Sequence, residues 1–146
     1  MKKVITKCKL RSRQEFVQKL YDIEMKFGPI YWQHDRVYVP RNYKPKANYP
    51  RLVMRTEMTA VDKTSIYKMI LRRHIEDSGV DIINETIVKD YTEVVNMIHQ
   101  LGFVEKGEVS RRRQELKMGD GIMVYLDKVE GLPGYYAKIE SELADG

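Results

Sequence analysis

Apolar and polar side chains alternate along most of the chain, most clearly between Val109 and Leu143. Three runs in this stretch change character at every second residue, and Gly-containing turns separate them. Because successive side chains of a β-strand point to opposite faces of a sheet, the pattern predicts three strands. One face of these strands is charged. The apolar residues of the opposite face are Ile122, Val124, Leu126, Ala137 and Ile139.

The same alternation predicts five further strands in the first 90 residues. They occupy residues 3–11, 29–39, 51–58, 64–73 and 80–89. Two other stretches have helical spacing instead. Ser12 and Asp90 each precede a glutamate by three residues, which is the spacing of a helix N-cap, and apolar residues then recur three or four positions apart. Gly28 and Gly102 are placed to end these helices, the first of which has its last apolar residue at Phe27.

The resulting order of elements is β-α-β-β-β-β-α-β-β-β. An even number of mostly antiparallel strands can close into a barrel, which removes the exposed edge strands. An apolar outer face and a charged inner face suit such a barrel when helices pack outside it. We therefore predict an α+β fold, an eight-stranded antiparallel closed β-barrel with external helices, in a single domain over residues 1–146.

Composition narrows the expected partners and compartment. The chain has 146 residues, 42% of them hydrophobic, which argues against disorder. Its net charge of +5 suggests a phosphorylated small molecule, a nucleic acid or an acidic surface as partner, although a mildly basic soluble protein is the simpler interpretation. Cys8 is the only cysteine and alternates toward the apolar face, so we expect a core position and no intrachain disulfide. No apolar run suits a membrane span or signal peptide, and we expect a cytoplasmic protein without a membrane partner.

Charged residues concentrate on one face of the predicted strands. The basic ones are Lys7, Lys9, Arg11, Arg55, Lys68, Arg72, Arg111 and Arg113, and the acidic ones are Glu85, Asp127 and Glu140. If this face is exposed, it is an ordinary solvated sheet. If it points into a barrel, the charges need partners. A polyphosphate would neutralise the basic groups, and the carboxylates would hold Mg²⁺ or Mn²⁺.

Several stretches resemble the CYTH domains, also called triphosphate tunnel metalloenzymes, which include class IV adenylate cyclases and thiamine and inorganic triphosphatases. Leu126 to Glu140 (LDKVEGLPGYYAKIE) resembles the family ending L-D-x-V-x-G-L-G-x-F-x-E-I-E. Val109 to Arg113 (VSRRR) resembles its V-x-K-x-R strand. Glu85 to Asp90 (ETIVKD), before a helix that ends in L-G-F, resembles its E-x-x-V-x-D. The matches follow the family's order over nearly the whole chain.

The resemblance implies a tunnel open at both ends, in which basic residues grip a triphosphate and acidic residues hold a divalent metal. The candidate phosphate-binding residues are Lys9, Arg11, Arg55, Lys68, Arg72, Arg111 and Arg113. Lys68 and Arg72 are alternatives, because the register of the strand over residues 64–73 is open. The candidate catalytic residues are Lys9, Glu85, Asp127 and Glu140, and the last three are also the candidate ligands of Mg²⁺ or Mn²⁺.

Five positions depart from the family pattern. Ile5, Lys7, Ile83 and Lys138 stand where the family has glutamate, and Val53 stands where it has arginine. The chain thus keeps many of the basic residues that would bind an anion and lacks several of the family's metal ligands. Three functions follow as alternatives: an enzyme, or a relic of one, acting on nucleoside or organic triphosphates; a non-catalytic nucleotide or polyphosphate binding module; and a domain that binds the 5′-triphosphate end of RNA. The oligomeric state is open, and a homodimer is one possibility.

Overall fold

The computed structural model describes residues 1–44, 49–61 and 63–144. The strands are β1 (Lys2–Lys9), β2 (Tyr31–Pro40), β3 (Arg51–Thr59), β4 (Ser65–Ile75), β5 (Val80–Val88), β6 (Phe103–Gly119), β7 (Ile122–Val129) and β8 (Tyr136–Glu142). The helices are α1 (Arg13–Asp22) and α2 (Tyr91–Gln100). The order of elements is the one that the alternation predicts. No helix in these ranges combines the length and apolar character needed to cross a membrane.

The eight strands form a closed barrel, in the order β1-β5-β4-β3-β2-β6-β7-β8. Every neighbouring pair is antiparallel. Strand β1 closes the barrel by pairing with β8 along nearly its whole length, from Lys3 to Lys9. On its other side it pairs with β5 only from Lys2 to Val4. The predicted fold class is confirmed, and closure leaves no free edge strand.

Both helices begin where the sequence places them. The side chain of Ser12 accepts a hydrogen bond from the Glu15 amide at 3.2 Å, and Asp90 accepts one from the Glu93 amide at 3.1 Å. The predicted end of the first helix is wrong, because α1 stops at Asp22 rather than near Phe27. The chain adopts a positive φ of 63° at Glu24, which a right-handed helix does not allow.

Two apolar clusters lie outside the barrel, one under each helix. The cluster under α1 contains Leu20, Leu116 and Val124. The cluster under α2 is larger and consists of Tyr38, Leu52, Met54, Val88 and Ile98. Ile122 and Ile139 share the outer face with Val124 but remain more than a third exposed, because the ten-residue α1 covers only part of that wall.

Strand β1 corrects two predictions. The strand ends at Lys9, so Arg11 lies beyond the barrel wall, exposed, in the connection to α1. The strand predicted over residues 3–11 is therefore too long at its end. Cys8 is exposed rather than in the core, because neither apolar cluster includes a residue of β1. The outer face of this strand is open to solvent.

A candidate anion-binding tunnel

The interior of the barrel is lined by charged side chains from alternate positions of the strands. Lys3, Glu57, Lys68, Arg113 and Glu140 are among the residues around a central cavity of about 100 Å³. The interior is filled mainly by its own ion pairs, which form four groups.

The most buried pair joins Arg113 of β6 to Asp127 of β7, which face each other in the strand register. The guanidinium donates two parallel hydrogen bonds, from Nε to Oδ1 at 2.7 Å and from Nη2 to Oδ2 at 2.8 Å. The Arg113 guanidinium also lies 4.3 Å from the centre of the Tyr125 ring. Although burial disfavours the charged form, the bonds with Asp127 raise the pKa of Arg113 above its ordinary value.

Asp35 lies between two arginines. Arg55 donates to both carboxylate oxygens, at 2.8 and 2.9 Å, and Arg111 donates to Oδ2 at 3.0 Å. The buried amide of Gln33 accepts a bond from Arg111 at 2.7 Å and donates one to Glu57 at 3.2 Å. Gln33 thereby links this group to the next one. Burial alone raises the pKa of Asp35, but the two guanidinium groups lower it to about 2.

This depressed pKa predicts a pH-dependent contribution to stability. The ordinary pKa of Asp35 is 3.8 and its folded value is about 2, so the folded protein binds fewer protons than the unfolded chain between these values. The contribution of Asp35 is present above pH 4 and is lost as pH falls toward 2, and it amounts to roughly 2 kcal/mol. We expect Asp35→Asn to be less stable than wild type at neutral pH, with the gap narrowing by that amount in acid. Denaturant titrations at both pH values measure it, and a gap independent of pH would contradict the prediction.

The other two groups pair lysines with glutamates. Lys68 lies between Glu57 and Glu85, and its Nζ is 3.3 Å from Glu85 Oε1. In the last group, Glu140 receives Lys3 at Oε2, at 3.0 Å, and Lys138 at Oε1, at 2.7 Å.

The last group has unusual protonation properties. Burial and the nearby Arg113 lower the pKa of Lys138 to about 7, despite its bond with Glu140. Burial alone raises the pKa of Glu140, but its bonds with Lys138 and Lys3 lower it to about 2. The lowered pKa of Glu140 therefore reflects the two lysines that contact it.

Two inward cations differ from the rest. Among the described residues, Lys7 and Arg72 have no hydrogen bond or ion pair, and the Arg72 Nε is buried without a partner. Partial burial lowers the pKa of Lys7, and repulsion by Arg72, Arg111 and Arg113 lowers it further. Lys7 is exposed to solvent, so this positive charge is accessible from outside the barrel.

The candidate phosphate-binding residues differ in where they lie and whether they are paired. Arg55, Lys68, Arg111 and Arg113 point inward and are ion-paired. Lys68 is opposite Arg55 and Arg72 is opposite Arg51 in the pairing of β3 with β4, so both alternatives of the open register line the tunnel. Lys9 is exposed at the end of β1, and its side chain lies against Gly134. Arg11 lies outside the wall.

The acidic residues do not fit a divalent metal ion. A metal site needs carboxylate oxygens that are free to coordinate, whereas Asp127 and Glu140 use both oxygens on cationic side chains. Glu85 lines the same cavity as Glu140, but it is paired with Lys68. Within the described residues, no three His, Cys, Asp or Glu side chains are grouped to hold a metal.

Sequence reasoning missed four residues of the tunnel. Lys3, Gln33, Asp35 and Glu57 complete its ion-paired groups, although none is among the predicted site residues. The alternation of side chains could have identified Asp35 and Glu57. Each lies in a predicted strand, at a position that shares a face with other inward residues of that strand. Gln33 had the same signal, since it lies two residues before Asp35 in the same run.

Comparisons with known proteins give fold-level matches. No protein-family model and no curated protein sequence matches the chain. The PH1819 protein from Pyrococcus horikoshii superposes with a TM-score of 0.80 at 19% identity, covering 98% of this chain and 79% of that one. A proposed adenylate cyclase from Vibrio parahaemolyticus gives 0.75 at 17% identity, with coverage of 98% and 77%. The chain has the CYTH fold.

A third match is to a protein with a described activity. A proposed adenylyl cyclase from Hippeastrum, described as having a dominant triphosphatase activity, superposes with a TM-score of 0.60 at 15% identity. The superposition covers 99% of this chain and 80% of that one. At these identities the likeness establishes the CYTH fold alone, and the function of this chain has to be argued from its own side chains.

Proposed function

We propose that this chain binds the phosphate chain of a nucleoside or organic triphosphate, or of inorganic polyphosphate, with the basic groups of its tunnel. The observation that carries the proposal is the pair of unpartnered inward cations, Lys7 and Arg72. A buried guanidinium nitrogen without a hydrogen bond is costly to the folded protein. An anionic ligand would supply the missing acceptor.

Electrostatics favours an anion with several charges. Arg72, Arg111 and Arg113 all repel the charge of Lys7 at a distance, and Asp127 opposes them. A bound phosphate chain would lower this repulsion, and each guanidinium can donate two parallel bonds to phosphate oxygens. Because Lys7 is exposed, we place the ligand with its outermost phosphate at Lys7 and the rest directed toward Arg72.

Binding is better supported than turnover. Phosphoryl transfer depends on positioned cations that stabilise the developing charge and, in metal-assisted enzymes, on carboxylates that hold the metal. The cations are present in this tunnel, but its carboxylates are engaged in ion pairs. We therefore propose a binding module whose hydrolytic activity toward triphosphates is weak. The structural likeness to the Hippeastrum protein supports a triphosphate as the class of ligand.

Calorimetric titration with tripolyphosphate, ATP and thiamine triphosphate tests the proposal. Sulfate, an anion of the size of one phosphate group, is the control. We expect tripolyphosphate to bind and sulfate to bind far more weakly, with an affinity that falls as salt rises because charges are being neutralised. An RNA with a 5′-triphosphate, compared with the same RNA ending in a hydroxyl, tests the RNA alternative in the same way. Equal, weak binding of all these anions would overturn the proposal.

A further inference from the structure

Lys3 and Lys138 both form ion pairs with the carboxylate of Glu140. The two ammonium groups occupy different oxygens of Glu140, and all three side chains are largely buried. Lys138 and Glu140 are two residues apart on β8 and so share a face, whereas Lys3 reaches Glu140 from the neighbouring strand β1. When both lysines are protonated the group carries a net positive charge, and each oxygen of Glu140 is bonded.

A divalent metal would have to displace these lysines. The displaced ammonium groups would then lie beside the metal ion without partners in a largely buried site, and both like-charge repulsion and desolvation oppose that arrangement. The same holds for Asp127, whose two oxygens are held by Arg113. Positive charge that a metal would bring to these carboxylates is already supplied by side chains of the chain itself.

On the basis of the proposed function, we infer that the tunnel binds its phosphate chain without a divalent metal ion, because Lys3 and Lys138 occupy the position that a cation would take at Glu140. The ligand class is therefore a metal-free polyphosphate anion rather than a magnesium complex. Lys138 is the residue that decides this, since it is the nearer of the two ammonium groups to Glu140.

Mn²⁺ binding, followed by electron paramagnetic resonance on the full chain without any anion, tests the inference directly. Wild type is expected to leave Mn²⁺ free. Lys138→Glu frees one oxygen of Glu140 and adds two more on the same face, so it should tighten Mn²⁺ binding roughly 10- to 100-fold. Lys138→Met, which removes the ammonium without adding a ligand, is the matched control and should gain much less. Tight Mn²⁺ binding by wild type would overturn the inference.

Tripolyphosphate titration of wild type separates the two proposals and does not depend on how any variant folds. Binding in EDTA that is at least as tight as binding with added Mn²⁺ supports the inference. Binding only when Mn²⁺ is present would refute metal independence and leave the proposed function standing. Absence of binding under both conditions would refute the proposed function, and metal independence with it.

Discussion

Arg113→Met is expected to lower the free energy of unfolding by about 3–5 kcal/mol, since it leaves the buried carboxylate of Asp127 without its partner. Both side chains are almost wholly buried, and both carboxylate oxygens accept bonds from this one guanidinium. The Tyr125 ring, which the guanidinium contacts, would lose that contact as well. Urea titration at neutral pH measures the loss, provided that the variant unfolds in one transition.

The double variant Arg113→Met with Asp127→Leu is the control. It replaces both charges with apolar groups of similar size, so no buried charge remains unpaired, and we expect it to recover most of the lost stability. The coupling between the two positions should therefore be large in a double-mutant cycle. A double variant as unstable as the sum of the two single variants would show that Arg113 and Asp127 act independently, contrary to the geometry.

These two residues show what the sequence predicts well. Alternation is a local property with a period of two, and it places Arg113 and Asp127 on the inner face before any pairing is known. The number and order of strands follow in the same way. Closure of the barrel is harder to predict, because it depends on the pairing of β1 with β8. This pairing places Lys3 opposite Glu142, nearly the whole chain away.

Alternation does not predict which charged side chains pair with each other inside the tunnel. The bond between Lys3 and Glu140 joins residues 137 positions apart, so no local pattern indicates it. Glu85 and Glu140 therefore look like free carboxylates in the sequence, and metal binding is a natural expectation. Their bonds with Lys68, Lys3 and Lys138 depend on strand register, which only the folded barrel determines.

The end of β1 shows a different limit. Alternation continues past Lys9, but pairing with β8 stops there, opposite Tyr136. A strand needs a partner strand as well as a suitable pattern, so Arg11 leaves the wall although its position in the pattern is correct. The prediction of a core position for Cys8 is wrong for a related reason. A residue on the apolar face of a strand is buried only where another element covers that face.

The ligand-binding prediction concerns Lys7 and Arg72, which stay without partners while Arg55, Lys68, Arg111 and Arg113 are paired. We expect Lys7→Met and Arg72→Met each to weaken tripolyphosphate binding about 10- to 100-fold, since hydrogen bonds to charged groups contribute about 1.5–3 kcal/mol. Neither variant should be less stable than wild type without ligand, because each removes a repelling positive charge from the tunnel. Calorimetry measures the affinities, and thermal unfolding without anion measures the stabilities.

Each variant has a control on its own strand. Lys2→Met and Arg73→Met remove the same kind of charge from outward-facing, exposed positions of β1 and β4, so the net charge changes equally in both comparisons. We expect these controls to bind tripolyphosphate nearly as wild type does. If inward and outward variants lost affinity to the same extent, binding would reflect the overall charge of the protein rather than a site in the tunnel. A loss confined to Lys7 and Arg72 would instead locate the phosphate chain near these two residues, because Arg55, Lys68, Arg111 and Arg113 each have a carboxylate partner of their own.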